Sequence, residues 1–201
     1  MLGTYDYPRS HRVFELISVS AFIGFAGLLA RGVVVEVGDR LSWPVGILIV
    51  GLVLAAYAVA DLASGVVHFL LDNFGSPETP VIGQKFVKPF RDHHVDPMAM
   101  TKGDFIAVNA DNVFVCLPVI IPVFFFLDVT GHPYWGVFVI GLVGGVIMTN
   151  QLHKWAHMPT VPRLVAVAQR RGVVVQAVQP HISPRRSRMH GALEVVLLGH
   201  T

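Results

Sequence analysis

Residues 61–94 read DLASGVVHFLLDNFGSPETPVIGQKFVKPFRDHH. The stretch starts inside a long apolar run and sets His68 and Asp72 four residues apart, one helical turn, on a shared face. A loop broken by Gly and Pro follows, and the stretch ends on the adjacent pair His93 and His94. A second cluster, His153 and His157 in NQLHKWAH, again follows an apolar run. Metal-ligand side chains thus stand where apolar helices leave a bilayer, and this decides both the fold class and where the chemistry should lie.

Composition agrees. Of the 201 residues, 53% are hydrophobic and 14% charged, and the mean hydropathy is +0.61. A soluble domain carries about a quarter charged residues, so this is a membrane composition. A net charge of +2, without a basic run interleaved with aromatics, excludes a nucleic-acid partner. Cys116 is the single cysteine, so neither an intrachain disulfide nor a Cys-based zinc or iron–sulfur site can form. Its setting, FVCLPVII, reads as a buried apolar thiol.

Four apolar runs, at about residues 14–37, 44–71, 113–129 and 134–150, approach the ~20 residues a helix needs to cross the hydrocarbon core. Glu15 and Arg31 lie near the ends of the first, where long side chains reach the interface. Pro44 suits the first turn of the second, and Pro118 and Pro122 should kink the third. Tyr134 and Trp135 form an interfacial aromatic pair on the fourth, which the short turn DVTGHP joins to the third as a hairpin. The opening segment MLGTYDYPRSHRVFEL lacks a small-residue cleavage site after an apolar core, and is expected to be a cytoplasmic lead-in and not a cleaved signal.

With the N-terminus inside, the outer loops hold only Arg31 and Arg40 of the 15 basic residues. That asymmetry orients the chain and places His68, His93, His94, His153 and His157 on the cytoplasmic side. At 1.5 Å per residue, a helix from Pro44 leaves the hydrocarbon near Ser64, so His68 and Asp72 stand on a cytosolic extension. Asn150, His153 and His157 do the same on the fourth helix. Asp61, on the face of His68, reads either as part of a functional site or as a hydrated helix-end residue.

Imidazole and carboxylate suit iron, zinc, copper or manganese, and the absence of thiolates disfavours the softest sites. Histidines on two helix extensions, with His93 and His94 on the loop between them, can converge on a pocket holding two metals. HExxH, GxSxG and P-loop patterns are absent.

Three segments carry a resemblance: DLASGVVHFLLDNFGS, PVIGQKFVKPFRDHHVDPMAMTKGDFIAVNADN and TNQLHKWAHMPTVPRLV, covering most of residues 57–165. Through them the chain resembles the plasmanylethanolamine desaturase, or Kua-type, lipid desaturase family, with its bacterial carotenoid-regulatory relatives. The resemblance implies an all-α integral membrane protein, a single domain over residues 1–201, and four transmembrane helices with a histidine-rich metal site facing the cytoplasm. It implies a non-haem di-iron enzyme that uses O₂ and electrons from a ferredoxin or cytochrome b5 type donor. The implied reaction turns the 1-O-alkyl chain of an ether phospholipid into a vinyl ether. By motif, His68, Asp72, His93, His94, His153, His157 and His190 are the implied iron ligands. Asp61, Asn150, Asp104 and Asp111 are candidates to orient the imidazoles, and VIGQKFVKPF is an apolar loop at the interface through which an alkyl chain enters. Lys85, Lys88 and Arg91 either face lipid phosphate or serve as positive-inside anchors.

The tail QPHISPRRSRMHGALEVVLLGHT departs from the family. Gly191 follows His190 where a His-His pair is expected, and His181 has no clear counterpart. The departure reads as a truncated or divergent tail that takes ligands from one iron. It sets a second reading beside the first, a catalytically impaired relative acting as a membrane regulator or binding protein. A lipid hydroxylase of the same metal class fits the same motifs. The Val, Ala, Gly and Arg bias points to a bacterial inner membrane; a eukaryotic chain would sit in the endoplasmic reticulum.

Overall fold

The computed structural model describes residues 9–80, 83–96 and 98–172, and no strand occurs among them. The helices are α1 (Arg9–Gly38), α2 (Trp43–Asn73), α3 (Lys88–Val95), α4 (Phe105–Phe126), α5 (Pro133–His157) and α6 (Arg163–Arg170). A π-helical turn, Gly83–Val87, leads into α3, and a 3₁₀ turn, Ala99–Lys102, precedes α4. The helices α1, α2, α4 and α5 are long and apolar enough to span a membrane, and most of their surface is not covered by protein. Side chains such as Ile23, Leu54 and Phe125 are exposed, as a lipid-facing exterior requires. The chain is a multi-pass membrane protein.

α1 lies along α4 and α2 along α5, with α5 also touching α1 and α4. Leu29, Cys116, Ile120 and Val143 form the main buried cluster, so the lone thiol is buried as its neighbours foretold. Val33, Val37 and Val137 form a second cluster nearer the other end of the bundle. Lipid tails are as apolar as leucine, so close approach and polar links, not hydrophobicity, must hold such helices together. Both devices are present. A Cβ on Gly145 would stand 2.8 Å from the Ala60 Cβ and 3.4 Å from the Tyr57 Cα; one on Gly141 would stand 3.0 Å from the Ala56 Cβ. Glycine there lets the two backbones touch. The order of these pairs also shows that α2 and α5 run parallel.

Polar links do the same for α4 and α5. Fully buried Asn109 donates from Nδ2 to Gln151 Oε1 at 3.0 Å and to Phe105 O at 2.9 Å. Asn150 Nδ2 donates to Val108 O at 2.7 Å, and buried Lys154 Nζ to Gly103 O at 2.7 Å. These bonds correct one boundary. The apolar run suggests a start near residue 113, but α4 begins at Phe105. Asn109 and Asp111 look like loop residues in sequence; Asn109 is helical because α5 supplies its partner. The helix also continues unbroken through Pro118 and Pro122. A second correction concerns His93 and His94, which lie on the short helix α3 and not on a loop.

Asp104 starts α4 as its N-cap, accepting from the Ala107 N–H at 2.8 Å, and also takes Arg12 Nη2 of α1 at 2.7 Å. The Arg12 guanidinium, then the Ala107 N–H, hold its carboxyl below the ordinary Asp value of 3.8. A lowered carboxyl stabilises the fold above its unfolded value, and that contribution disappears as pH falls through the lower folded one. Asp104→Ala should therefore lose about 1 kcal/mol at neutral pH, and the deficit should vanish in strong acid. Thermal unfolding of wild type and variant in detergent, at pH 7 and at a series of pH values falling from 3.8, measures both.

Candidate metal centre

The starts of α1 and α4 and the end of α5 share one end of the bundle, joined by Arg12–Asp104 and Lys154–Gly103. Because α2 runs parallel to α5, its last turns arrive at that same end. Continuing the register of Ala60 over Gly145 by about two turns puts His68 level with His153, and one turn further puts Asp72 level with His157. Both helices extend as far as the sequence suggests, α2 to Asn73 and α5 to His157.

Three of the expected ligands meet. His68 Nε2 and His94 Nε2 each lie 3.1 Å from Asp72 Oδ2, and the two nitrogens are 3.4 Å apart. Their side chains are 35%, 46% and 24% exposed for His68, His94 and Asp72, so the group lies at a surface. The Phe90 ring meets His68 edge-on at 5.1 Å. Phe69, Leu70, Phe74 and Val95, neighbours of these ligands along the chain, are exposed apolar side chains.

The other candidates fall elsewhere. His153 and His157 stand on α5 with ring centroids 4.9 Å apart, and the donors whose ligand atoms all lie within 4.8 Å of one another are His68, Asp72 and His94. His93 belongs to α3, and its side chain lies outside the described residues, as do His181 and His190. Among the candidates for orienting imidazoles, Asp104 is committed to Arg12 and to its helix cap. Asn150 gives its amide to Val108 O and to Asn109 Oδ1 at 3.3 Å, which ties α5 to α4. Asp61 is half-buried on α2. Of the three cations near the interface, Lys88 pairs with Asp92, and Arg91 donates to Gly75 O at 2.8 Å. Sequence reading missed Lys154, Asn109 and Gln151 as helix links. Their signal was present, since polar side chains inside apolar runs bind neighbouring helices.

The donors suit a metal. Bonds of about 2.0–2.2 Å to nitrogen and oxygen set neighbouring ligand atoms about 3.0–3.4 Å apart around an ion, which is the spacing of these three. A second observation points the same way. Asp72 Oδ1 is buried and has no hydrogen-bond partner among the described residues. Leaving a carboxylate oxygen buried and unpaired is costly, and a cation beside the carboxylate removes that cost. Two imidazoles and a carboxylate form a borderline-to-hard donor set that takes iron, zinc or manganese.

Comparison with known proteins places this geometry. Residues 57–189 match the family model described as a lipid desaturase domain. The match runs further into the tail than residue 165, where the recognisable motifs end. Over 127 residues the chain is 43% identical to the plasmanylethanolamine desaturase of Myxococcus xanthus, covering 61% of this chain and 44% of the relative. It is 40% identical over 111 residues to plasmanylethanolamine desaturase 1 of Mus musculus, covering 52% and 41%. It is 33% identical over 136 residues to the chloroplastic fatty acid desaturase 4 of Arabidopsis thaliana, covering 65% and 41%. The matched stretches thus span less than half the length of each of these relatives. No solved structure matches the chain.

Proposed function

The chain belongs to the lipid desaturase family, and from that premise we propose that it is an O₂-dependent, non-haem di-iron desaturase converting the 1-O-alkyl chain of an ether phospholipid to a vinyl ether. The observation that carries this reading is the convergence of His68, Asp72 and His94 on the Asp72 carboxylate, within the matched stretch. These residues would hold one iron and His153 and His157 would serve the second; His93 and His190, whose side chains lie outside the described residues, are the further ligands that the family motifs imply. Bound iron supplies O₂ chemistry able to take hydrogen from an unactivated C–H bond, which side chains cannot do.

The chain's own residues supply position and environment. The exposed apolar belt of Phe69, Leu70, Phe74 and Val95 lets an alkyl chain reach the site from the bilayer while the headgroup stays at the interface. Overall, –CH₂–CH₂–O– becomes –CH=CH–O–, one O₂ becomes two waters, and two further electrons and two protons come from outside. A ferredoxin or cytochrome b5 type donor delivers those electrons on the cytoplasmic side, where the positive-inside asymmetry places the site.

The test is lipid mass spectrometry after expression in a host that lacks plasmalogens and is fed an alkyl ether lipid. Acid-labile vinyl ether should accumulate. Its absence, with iron bound to the purified chain, would exclude the desaturase. That outcome would instead favour the second reading, a membrane regulator or binding protein.

A further inference from the structure

His94 sits on α3, a helix of eight residues. A helix so short has little stability of its own, so what places His94 against α2 must be a tertiary contact. Arg91 stands three residues before His94 and therefore on the same side of α3. Its Nη2 donates to Gly75 O at 2.8 Å and lies 3.5 Å from Asp72 O. The last carbonyls of α2 have no intrahelical donors and carry the negative end of its dipole. The guanidinium, on the helix that bears His94, therefore binds the turn just past the helix that bears His68 and Asp72 and reaches toward one of that helix's last carbonyls.

The turn is shaped for this contact. Gly75 has φ +76°, a left-handed conformation that glycine adopts without strain, and it aims its carbonyl at Arg91. A Cβ there would also touch Thr79 Oγ1 at 3.4 Å and Val87 Cγ2 at 3.5 Å. Arg91 Nε is buried without a hydrogen-bond partner among the described residues, so the cation is partly desolvated and its remaining bonds matter more.

We propose that Arg91 is a positioning residue for the metal centre: it latches α3 to the exit of α2 and so sets His94 beside His68 and Asp72. This role presupposes that those three residues hold the ion proposed above. It also directs one nitrogen of the guanidinium, Nη2, at backbone carbonyls. The latch acts through one ligand, so its effect should disappear when that ligand is gone.

A double-mutant cycle on the purified full chain tests this, using cobalt(II) as the probe and its visible absorbance as the readout. Arg91→Ala should weaken cobalt affinity about tenfold, the low end for residues that support a ligand, and shift the absorbance bands. Arg91→Lys, which keeps the charge but loses the fork, should recover part of that loss. In a His94→Ala background, Arg91→Ala should change affinity less than about twofold, because the two act as one unit. An Arg91→Ala protein that binds like wild type, or one whose loss is as large without His94, would overturn the latch. If wild type and His94→Ala bind cobalt equally, the metal reading fails instead, and the latch falls with it. Should Arg91→Ala not fold, Arg91→Lys with and without His94→Ala runs the same cycle.

Discussion

Replacing Asp72 with Ala should empty the three-donor group of iron and abolish desaturation while leaving the helical bundle intact. Asp72 is the only anion in the group, and its Oδ2 is the atom on which both imidazoles converge. Removing residues that merely support ligands costs 10–100-fold in metal affinity, so losing a direct anionic ligand should cost more than about 100-fold, or roughly 2.8 kcal/mol. The metal-free fold should barely notice. The ion pairs of Asp72 are a quarter to a half exposed, and pairs of that kind contribute about 0–1 kcal/mol. The change also removes a buried oxygen that has no partner among the described residues, which offsets part of the loss. Iron content and metal-free thermal unfolding, measured on the same preparation, separate the two effects. Wild-type iron content in the variant would remove Asp72 from the centre.

That separation between fold and site mirrors what could be read from the residues. Four spans follow from apolar runs because lipid demands them, and the ends of α2 and α5 were legible from the polar residues that continue their helical spacing. The start of α4 was not. Asn109 bonds to Gln151, a partner 42 residues away; a polar side chain at the edge of an apolar run signals a link between helices but not which residue answers it. His68 and Asp72 were readable as a pair from their four-residue spacing. Their union with His94 depends on where the segment after Asn73 delivers α3, which is set by Gly75, buried Val87 and Arg91. KPFRDHHV begins with a Lys-Pro pair and is too short to declare itself a helix, so the histidines looked like loop residues.

His153→Ala should lower iron from two atoms per chain to one and abolish vinyl ether formation. The register of Gly141 and Gly145 on α2 sets His153 at the height of His68 and His157 at the height of Asp72. Neither His153 nor His157 is one of the three donors whose ligand atoms all lie within 4.8 Å of one another. The second ion proposed above would be held from α5, at the same depth as the first and by different side chains. Loss of His153 should then spare the ion on His68, Asp72 and His94, just as loss of Asp72 should spare the ion on α5. On the di-iron reading proposed above, desaturation needs both ions, so each variant should be inactive although each keeps half the metal. Because His153 is half-buried at the end of a helix anchored by the bonds of Asn150 and Lys154 to the α4 side, its truncation leaves the packing between α4 and α5 in place. Iron analysis of His153→Ala beside Asp72→Ala decides the matter. Unchanged iron in His153→Ala would remove that residue from the centre, and complete loss of iron would mean that the two ions bind as one cooperative unit.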